Sequence, residues 1–125
     1  MLCSIPVRLV TPLEASRGAA VRLTSAMLVS ALVRRISAEG GNAAVLAKGD
    51  ATAGSILLIC MEKGVIQSVR ERVLDQSGVY AWTPVGPADP DDLSAYLERR
   101  RTRDSDIWIV ELDIANAERF AAETG

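Results

Sequence analysis

The fold is decided by the stretch SILLICME, residues 55–62, in which six apolar side chains follow one another without a break. A continuous apolar run of this length is typical of a strand that is covered on both faces. Lys63 and Gly64 then provide a turn signal, and residues 65–73 mix Val and Ile with Gln, Arg and Glu, as in a half-exposed strand. The two segments together predict an antiparallel hairpin.

Three more strands are predicted around this hairpin. Residues 43–47 form a short strand before it, and residues 79–85, with Tyr80 and Trp82, form a strand after it that ends at prolines. Residues 107–112 place apolar side chains on both sides of the chain, which indicates a central strand. Strands joined by short turns pair antiparallel, because a parallel pair needs a long crossover.

Two helices have clear boundary signals. The first begins at an N-cap, Thr24 or Ser25, and ends before a Gly-Gly pair. Its apolar side chains share one stripe: Leu28, Val29, Leu32, Val33 and Ile36. The second begins at Asp89, which caps a helix whose first residue is Pro90, and ends in basic residues. A short helix-like segment, residues 115–123, follows the last strand.

The order of these elements predicts an α+β fold. It contains a mainly antiparallel sheet of about four to five strands, an N-terminal helix and a second helix before the last strand. We expect the helices to cover one face of the sheet. Because the last strand follows a helix, it can enter the sheet beside a strand that is not its neighbour in sequence.

The length and the N-terminal sequence predict the domain organisation. A chain of 125 residues has the length of one domain, whose core needs no metal ion or disulfide. The first part of the chain contains prolines and scattered apolar residues without a sustained period. We expect residues 1–21 to be a disordered tail, or a non-native extension that is translated upstream of the native start, for which Val21 is a candidate. Residues 22–125 are expected to form a single α+β domain.

The composition excludes several classes of chemistry. Histidine is absent, which removes Ser/His/Asp and Cys/His catalysis and, with only two cysteines, ordinary zinc sites. Acid–base chemistry would need Asp, Glu, Lys, Tyr or Cys. Cys3 and Cys60 do not form a local pair, which favours a reducing compartment, and we expect Cys60 to be a buried apolar side chain. The sequence therefore predicts no catalytic residues, no metal and no cofactor.

The charge and the hydropathy limit the partners. The formal net charge of -2 argues against a general polyanion binder, because such binding relies on many Lys and Arg contacts to phosphate. No apolar stretch reaches the roughly 20 residues that a membrane span needs. We therefore expect a cytoplasmic protein without a membrane partner.

The loop of residues 48–54 is the most distinctive local feature, with a Lys, an Asp and two glycines. It does not match a phosphate-binding loop, because its second glycine leads into a strand and not into a helix. A turn in which Asp50 accepts backbone N–H groups explains it without a ligand. Arg34 and Arg35 have two interpretations. Their positive charges can compensate the negative end of the helix dipole, or their guanidinium groups can bind a carboxylate or phosphate.

Two further groups carry a structural and a functional interpretation. The run from Arg99 to Arg103 spreads around its helix and precedes acidic residues, so a solvated helix end is preferred over a nucleic-acid interface. Trp82 and Trp108 are expected on adjacent strands. We prefer the interpretation that they are large core residues over the alternative that they form an aromatic binding wall.

From Arg22 onward the chain contains four distinctive segments in this order: ALVRR at residues 31–35, a Gly-Gly pair, GDATAG at residues 49–54 and DSDIWIVE at residues 104–111. In these the chain resembles an uncharacterised alphaproteobacterial family, the domain of unknown function numbered 1491. Its members usually open at a Met-Arg-Leu that Val21-Arg22-Leu23 replaces here, in line with the expected start. The resemblance implies small bacterial cytoplasmic proteins and supplies no reaction or catalytic residue.

Three functions remain open from the sequence. The preferred hypothesis is a non-enzymatic binding or interaction module whose partner is open, with a protein or a small anionic ligand as the candidates. The alternative is a small enzyme or a binder of a small anionic ligand that uses Arg34, Arg35 and Asp50, with Trp108 beside them. The third, nucleic-acid contact through Arg99 to Arg103, is disfavoured. The ligand-binding candidates are thus Arg34, Arg35, Asp50 and Trp108.

Overall fold

The computed structural model describes residues 23–124. The expected extension of residues 1–21 lies outside the described residues. The elements, in chain order, are α1 Ser25–Ala38, β1 Asn42–Ala47, β2 Ile56–Glu62, β3 Val65–Leu74, β4 Tyr80–Pro84, α2 Pro90–Arg103, β5 Trp108–Asp113 and α3 Ala117–Thr124. The predicted order of helices and strands is therefore confirmed.

The five strands form one mixed sheet in the order β1-β5-β2-β3-β4. The β2–β3 and β3–β4 pairs are antiparallel hairpins, as predicted from their short turns. The last strand, β5, enters between β1 and β2, antiparallel to β1 and parallel to β2. The predicted α+β class with a mainly antiparallel sheet is confirmed, and β5 is the central strand that its two apolar sides indicated.

The helices lie on both faces of the sheet. One core contains the apolar stripe of α1 and the inner side of α3, packed against Ile56, Leu58 and Cys60 of β2. The other lies beneath α2, where Leu93 meets Leu57 of the same strand and other side chains of that face. The expectation that the helices cover one face was wrong, because a strand with apolar side chains on both sides needs a layer on each side.

The ends of the helices follow the sequence signals. The Thr24 hydroxyl accepts the Met27 N–H at 3.2 Å at the start of α1. The Asp89 carboxylate accepts the N–H groups of Asp91 and Asp92 at the start of α2, at 3.0 and 3.2 Å. These bonds satisfy N–H groups that have no partner inside the helix. They fix where both helices begin.

Candidate functional site

The loop of residues 48–54 is a structural connector that closes the start of α1. The Asp50 carboxylate accepts the backbone N–H groups of Thr52 and Ala53, at 3.1 and 2.8 Å. The carbonyl groups of Thr52 and Ala51 in turn accept the N–H groups of Ser25 and Ala26, at 3.1 and 2.9 Å. With Thr24 accepting the next two N–H groups, the first turn of α1 has no free donor for an anion.

Asp50 and Trp108 lie together, but their contact uses the main chain of Asp50 and not its carboxylate. The indole Nε1–H of Trp108 donates to the Asp50 carbonyl oxygen at 2.8 Å. The Asp50 N–H donates to the Asp106 carbonyl oxygen at 3.0 Å. The Trp108 ring is buried in the core between the sheet and α1, so its visible role is to anchor the loop.

Arg34 and Arg35 lie at the other end of α1. At 1.5 Å per residue, Arg35 is about 15 Å along the helix axis from the turn that the loop contacts. Its guanidinium pairs with Glu123 of α3 and stands over the Phe120 ring, 5.0 Å from the centroid. The Arg34 side chain is exposed. The structure thus does not bring the two arginines to Asp50, and ligand binding by these residues stays a prediction.

The two tryptophans do not form a binding wall. Trp82 lies on β4, which is separated from β5 by β2 and β3. Its Nε1–H donates to the Ala121 carbonyl oxygen of α3 at 3.0 Å. The expectation that Trp82 and Trp108 occupy adjacent strands was wrong, because β5 entered on the far side of the hairpin.

The run from Arg99 to Arg103 divides by orientation. Arg100 turns toward the sheet, and both of its terminal nitrogens donate to the Glu71 carboxylate at 3.0 and 2.9 Å. It also donates to the Tyr96 hydroxyl at 2.9 Å. The bonds to Glu71 raise the pKa of the Arg100 guanidinium further above its ordinary value. The other arginines of the run are exposed on the surface of α2.

Cys60 is buried in the core, as expected from the sequence. Burial and the negative charge of Glu118 raise the pKa of its thiol to about 11. The neighbouring Ser68 donates to the Glu118 carboxylate at 2.8 Å, which ties β3 to α3. A thiol in this environment stays protonated at neutral pH and is a poor nucleophile.

The sequence interpretation missed a cleft between the start of α1 and the β3–β4 hairpin. The cleft has a volume of about 800 Å³. Its walls come from residues 23–25 at the start of α1, residues 52–56, Arg72, Gly78, Tyr80 and the end of α3. We call it the hairpin cleft. The Arg72 guanidinium lies over the Tyr80 ring, 3.9 Å from its centroid, and burial lowers its pKa.

Beside this cleft, the far end of the hairpin carries exposed apolar side chains. Val73, Leu74, Val79 and Tyr80, which we call the hairpin end, are 40%, 50%, 57% and 39% exposed. Leu74 pairs with Tyr80 across the two strands. Large apolar residues on both sides of a four-residue turn were a signal in the sequence, although exposure could not be read from it.

The turn that presents the hairpin end is held by the Asp75 carboxylate and by two backbone hydrogen bonds, from Asp75 N–H to Val79 and from Gly78 N–H to Asp75, at 2.9 and 3.1 Å. Asp75 accepts the Ser77 hydroxyl at 2.6 Å and the N–H groups of Ser77 and Val79 at 2.9 and 3.0 Å. The bonds to Ser77 and Val79 lower the pKa of Asp75. The hairpin end is therefore fixed in conformation by local bonds.

Residues 23–124 also lack the features of two other kinds of site. There is no group of three or more His, Cys, Asp or Glu side chains that could hold a metal ion in this part of the chain. Among the same residues, no helix has the length and apolar character to cross a membrane.

Similar proteins place the chain in a family. The sequence pattern of the family described as "Protein of unknown function (DUF1491)" matches residues 23–122. No curated protein matches the sequence significantly.

Solved structures agree with that match. The 1.87 Å crystal structure of a DUF1491 family protein from Caulobacter crescentus is 33% identical, with a TM-score of 0.70, covering 79% of this chain and 94% of that chain. An NMR structure of a DUF1491 family protein from the same species is 34% identical, with a TM-score of 0.67 and coverages of 78% and 91%. The solution structure of protein Atu0922 from A. tumefaciens is 31% identical, with a TM-score of 0.62 and coverages of 77% and 89%. Both organisms are alphaproteobacteria. The chain belongs to the DUF1491 family, whose function is unknown.

Proposed function

We propose that this protein is a non-enzymatic interaction module that binds an apolar segment of a partner protein at the hairpin end and the hairpin cleft. The observation that carries the proposal is the clustering of exposed apolar side chains. Five of the nine large exposed apolar residues in the described part of the chain lie here: Leu23, Val73, Leu74, Val79 and Tyr80. Exposed apolar side chains that gather in one region in this way mark interaction sites on soluble domains.

The geometry of the hairpin supports binding with little loss of conformational freedom. The bonds of Asp75 hold the turn, and the stack of Arg72 on Tyr80 holds the aromatic ring at the mouth of the cleft. When a surface is already fixed before binding, less of the interaction free energy is lost in ordering its side chains and loops. Tyr and Arg are also the residue types that most often dominate binding at interfaces.

Site-specific photo-crosslinking tests the proposal. A photoreactive phenylalanine analogue replaces Val79 in the native host, and the matched control carries the same analogue at Val65. Val65 is 61% exposed and lies at the opposite end of β3. We expect a protein adduct from position 79 that is missing from position 65.

The partner from that adduct is then purified and titrated against the unlabelled protein by calorimetry. We expect a negative heat-capacity change, because apolar surface is buried on binding. The double variant Leu74→Ser/Val79→Ser should weaken binding at least about tenfold, whereas Val65→Ser should leave it within about twofold. Equal adducts from both positions, or equal binding by both variants, would rule the proposal out.

We further propose that this binding takes place in the cytoplasm. The support is Cys60, a free thiol buried in the core, which fits a reducing compartment. Fractionation of cells that express the protein with a C-terminal epitope should recover it with cytoplasmic markers. Recovery with periplasmic or membrane markers would contradict this location.

A further inference from the structure

We propose a second binding site, on the other face of the sheet, in which Tyr96, Arg99 and Arg103 of α2 bind a single phosphate group. These residues line a cavity of about 450 Å³ together with Glu71, Arg100 and Asp104. We call it the arginine cavity. It is independent of the hairpin cleft, since α2 packs on the opposite face from α1.

The spacing of the residues brings their side chains to one stripe of the helix. Tyr96, Arg99 and Arg103 are three and four residues apart, so each stands about one turn from the next. Arg99 and Arg103 are exposed, and neither belongs to a salt bridge within residues 23–124. Two guanidinium groups therefore reach the same cavity, and their N–H donors are not used in salt bridges within these residues.

Arg100 holds Tyr96 in position and adds no net charge to the cavity. Its bidentate pair with Glu71 cancels both charges at the floor of the cavity. The Tyr96 oxygen accepts a hydrogen bond from Arg100 at 2.9 Å, so the phenolic O–H is left to donate elsewhere. The contact with a cation also makes that O–H a stronger donor. The Tyr96 ring is held against Gly86, where a Cβ would lie only 2.8 Å from Cε2.

The donors and the charge of the cavity select an oxyanion. Three arginines and two carboxylates leave the lining with one positive charge. One oxygen of the Asp104 carboxylate accepts the Asp106 N–H at 3.0 Å. Planar guanidinium groups bind phosphate through two parallel N–H bonds, and the Tyr96 hydroxyl supplies a third donor.

The arrangement favours one phosphate group over a nucleic acid. Arg101 faces a different cavity, which it lines with Lys48 and Thr102. The cations of α2 are thus divided between two sides, and acidic residues follow directly at 104 and 106. A duplex is bound by cations gathered along one face.

Titration with inorganic phosphate, followed by NMR at constant ionic strength, tests the site. The signals of the Arg side-chain Nε–H groups are recorded for the wild type and for Arg99→Gln, Arg103→Gln, Tyr96→Phe and Arg101→Gln. We expect saturable shifts at Arg99 and Arg103, with a Kd of about 1–10 mM. Arg99→Gln and Arg103→Gln should each weaken binding at least about fivefold and Tyr96→Phe about threefold, with the control Arg101→Gln within about twofold.

Three outcomes would overturn the proposal. They are shifts that do not saturate, equal weakening by Arg99→Gln and Arg101→Gln, and tight salt-dependent binding of a short DNA duplex without binding of phosphate. The first two would indicate general charge screening, and the third a nucleic-acid surface. If phosphate binds as expected, glycerol phosphate and a phosphoserine peptide compared at equal concentration distinguish a metabolite from a modified protein as the source. Arg99 and Arg103 are exposed, so loss of folding does not confuse the result.

Discussion

Gly49 and Gly54 are required at their positions because the Asp106 carbonyl group comes very close to both. A Cβ on Gly49 would overlap that oxygen and would lie 2.7 Å from the carbonyl carbons of Asp106 and Ile107. A Cβ on Gly54 would meet the same oxygen and, at 2.9 Å, the backbone of Asp50. Both neighbours are main-chain atoms, which cannot rotate aside as a side chain can. The glycines therefore allow the loop to dock on the segment that leads into β5.

We expect Gly49→Ala to destabilise the protein by about 3 kcal/mol, because the loop must move away and the bond from Asp50 N–H to Asp106 is lost. Urea unfolding monitored by Trp fluorescence measures the change. Thr52→Ala, an exposed side chain in the same loop, is the matched control and should stay within about 0.5 kcal/mol of the wild type. Equal stability of the two variants would show that the close approach is not a constraint.

For single residues, contacts between neighbours in the sequence could be predicted, and contacts between residues far apart in the sequence could not. Asp50 was predicted to accept backbone N–H groups in a turn, and it does so within three residues. The bond from Trp108 to the same residue spans 58 positions, and no local pattern encodes it. Likewise, Arg100 was interpreted as part of a solvated helix end, whereas its partner Glu71 lies 29 positions away on β3.

The attachment of α2 to the sheet depends on the Arg100–Glu71 pair. Both side chains are mostly shielded, 18% and 19% exposed, and both terminal nitrogens of Arg100 are used. Removing one partner leaves the other charge poorly solvated. We expect Glu71→Gln and Arg100→Met each to lose about 1–3 kcal/mol in the free energy of unfolding.

The double variant Glu71→Gln/Arg100→Met completes a thermodynamic cycle for that pair. Its loss should be smaller than the sum of the single losses by about 1 kcal/mol or more, since no unpaired charge remains. Arg101→Met, an exposed change on the same helix, should lie within about 0.5 kcal/mol of the wild type. Strict additivity in urea unfolding would mean that the pair does not hold α2.

The elements themselves were largely predictable, and their layering was predictable in part. Helix caps, turn residues and apolar periods are local, so they placed the helices and strands close to the observed bounds. The apolar run in β2 already required cover on both faces, yet the helices were expected on one. The position of β5 depends on the whole sheet, so the separation of Trp82 from Trp108 could not be derived from spacing.

The stability of the whole molecule should depend on pH through the carboxyl group of Glu118. Hydrogen bonds from its own backbone N–H and from Ser68 lower the pKa of this carboxyl below its ordinary value of 4.5. A lowered pKa in the folded state adds stability above the unfolded value, and that stability is lost as pH falls through the folded value. We therefore expect the advantage of the wild type over Glu118→Gln to shrink as the pH falls below about 5.

Urea midpoints measured across that pH range check this expectation. Ser68→Ala removes one donor and should shift the acid-induced loss to higher pH, since the carboxylate is then less favoured. Ser105→Ala, an exposed serine, should leave the profile unchanged. Parallel profiles for the wild type and Glu118→Gln would contradict the role of Glu118.

The insertion of β5 between β1 and β2 has a consequence for synthesis. A ribosome makes the chain from the N-terminus, so β5, an interior strand of the sheet, is produced after all the other strands. Until residue 113 has left the exit tunnel, β1 has no neighbour and one edge of the apolar β2 is open. Unpaired apolar edges are where nascent chains associate wrongly. The sheet can therefore close only after β5 has been made, and chains that stop before residue 108 should expose the unpaired edges of β1 and β2.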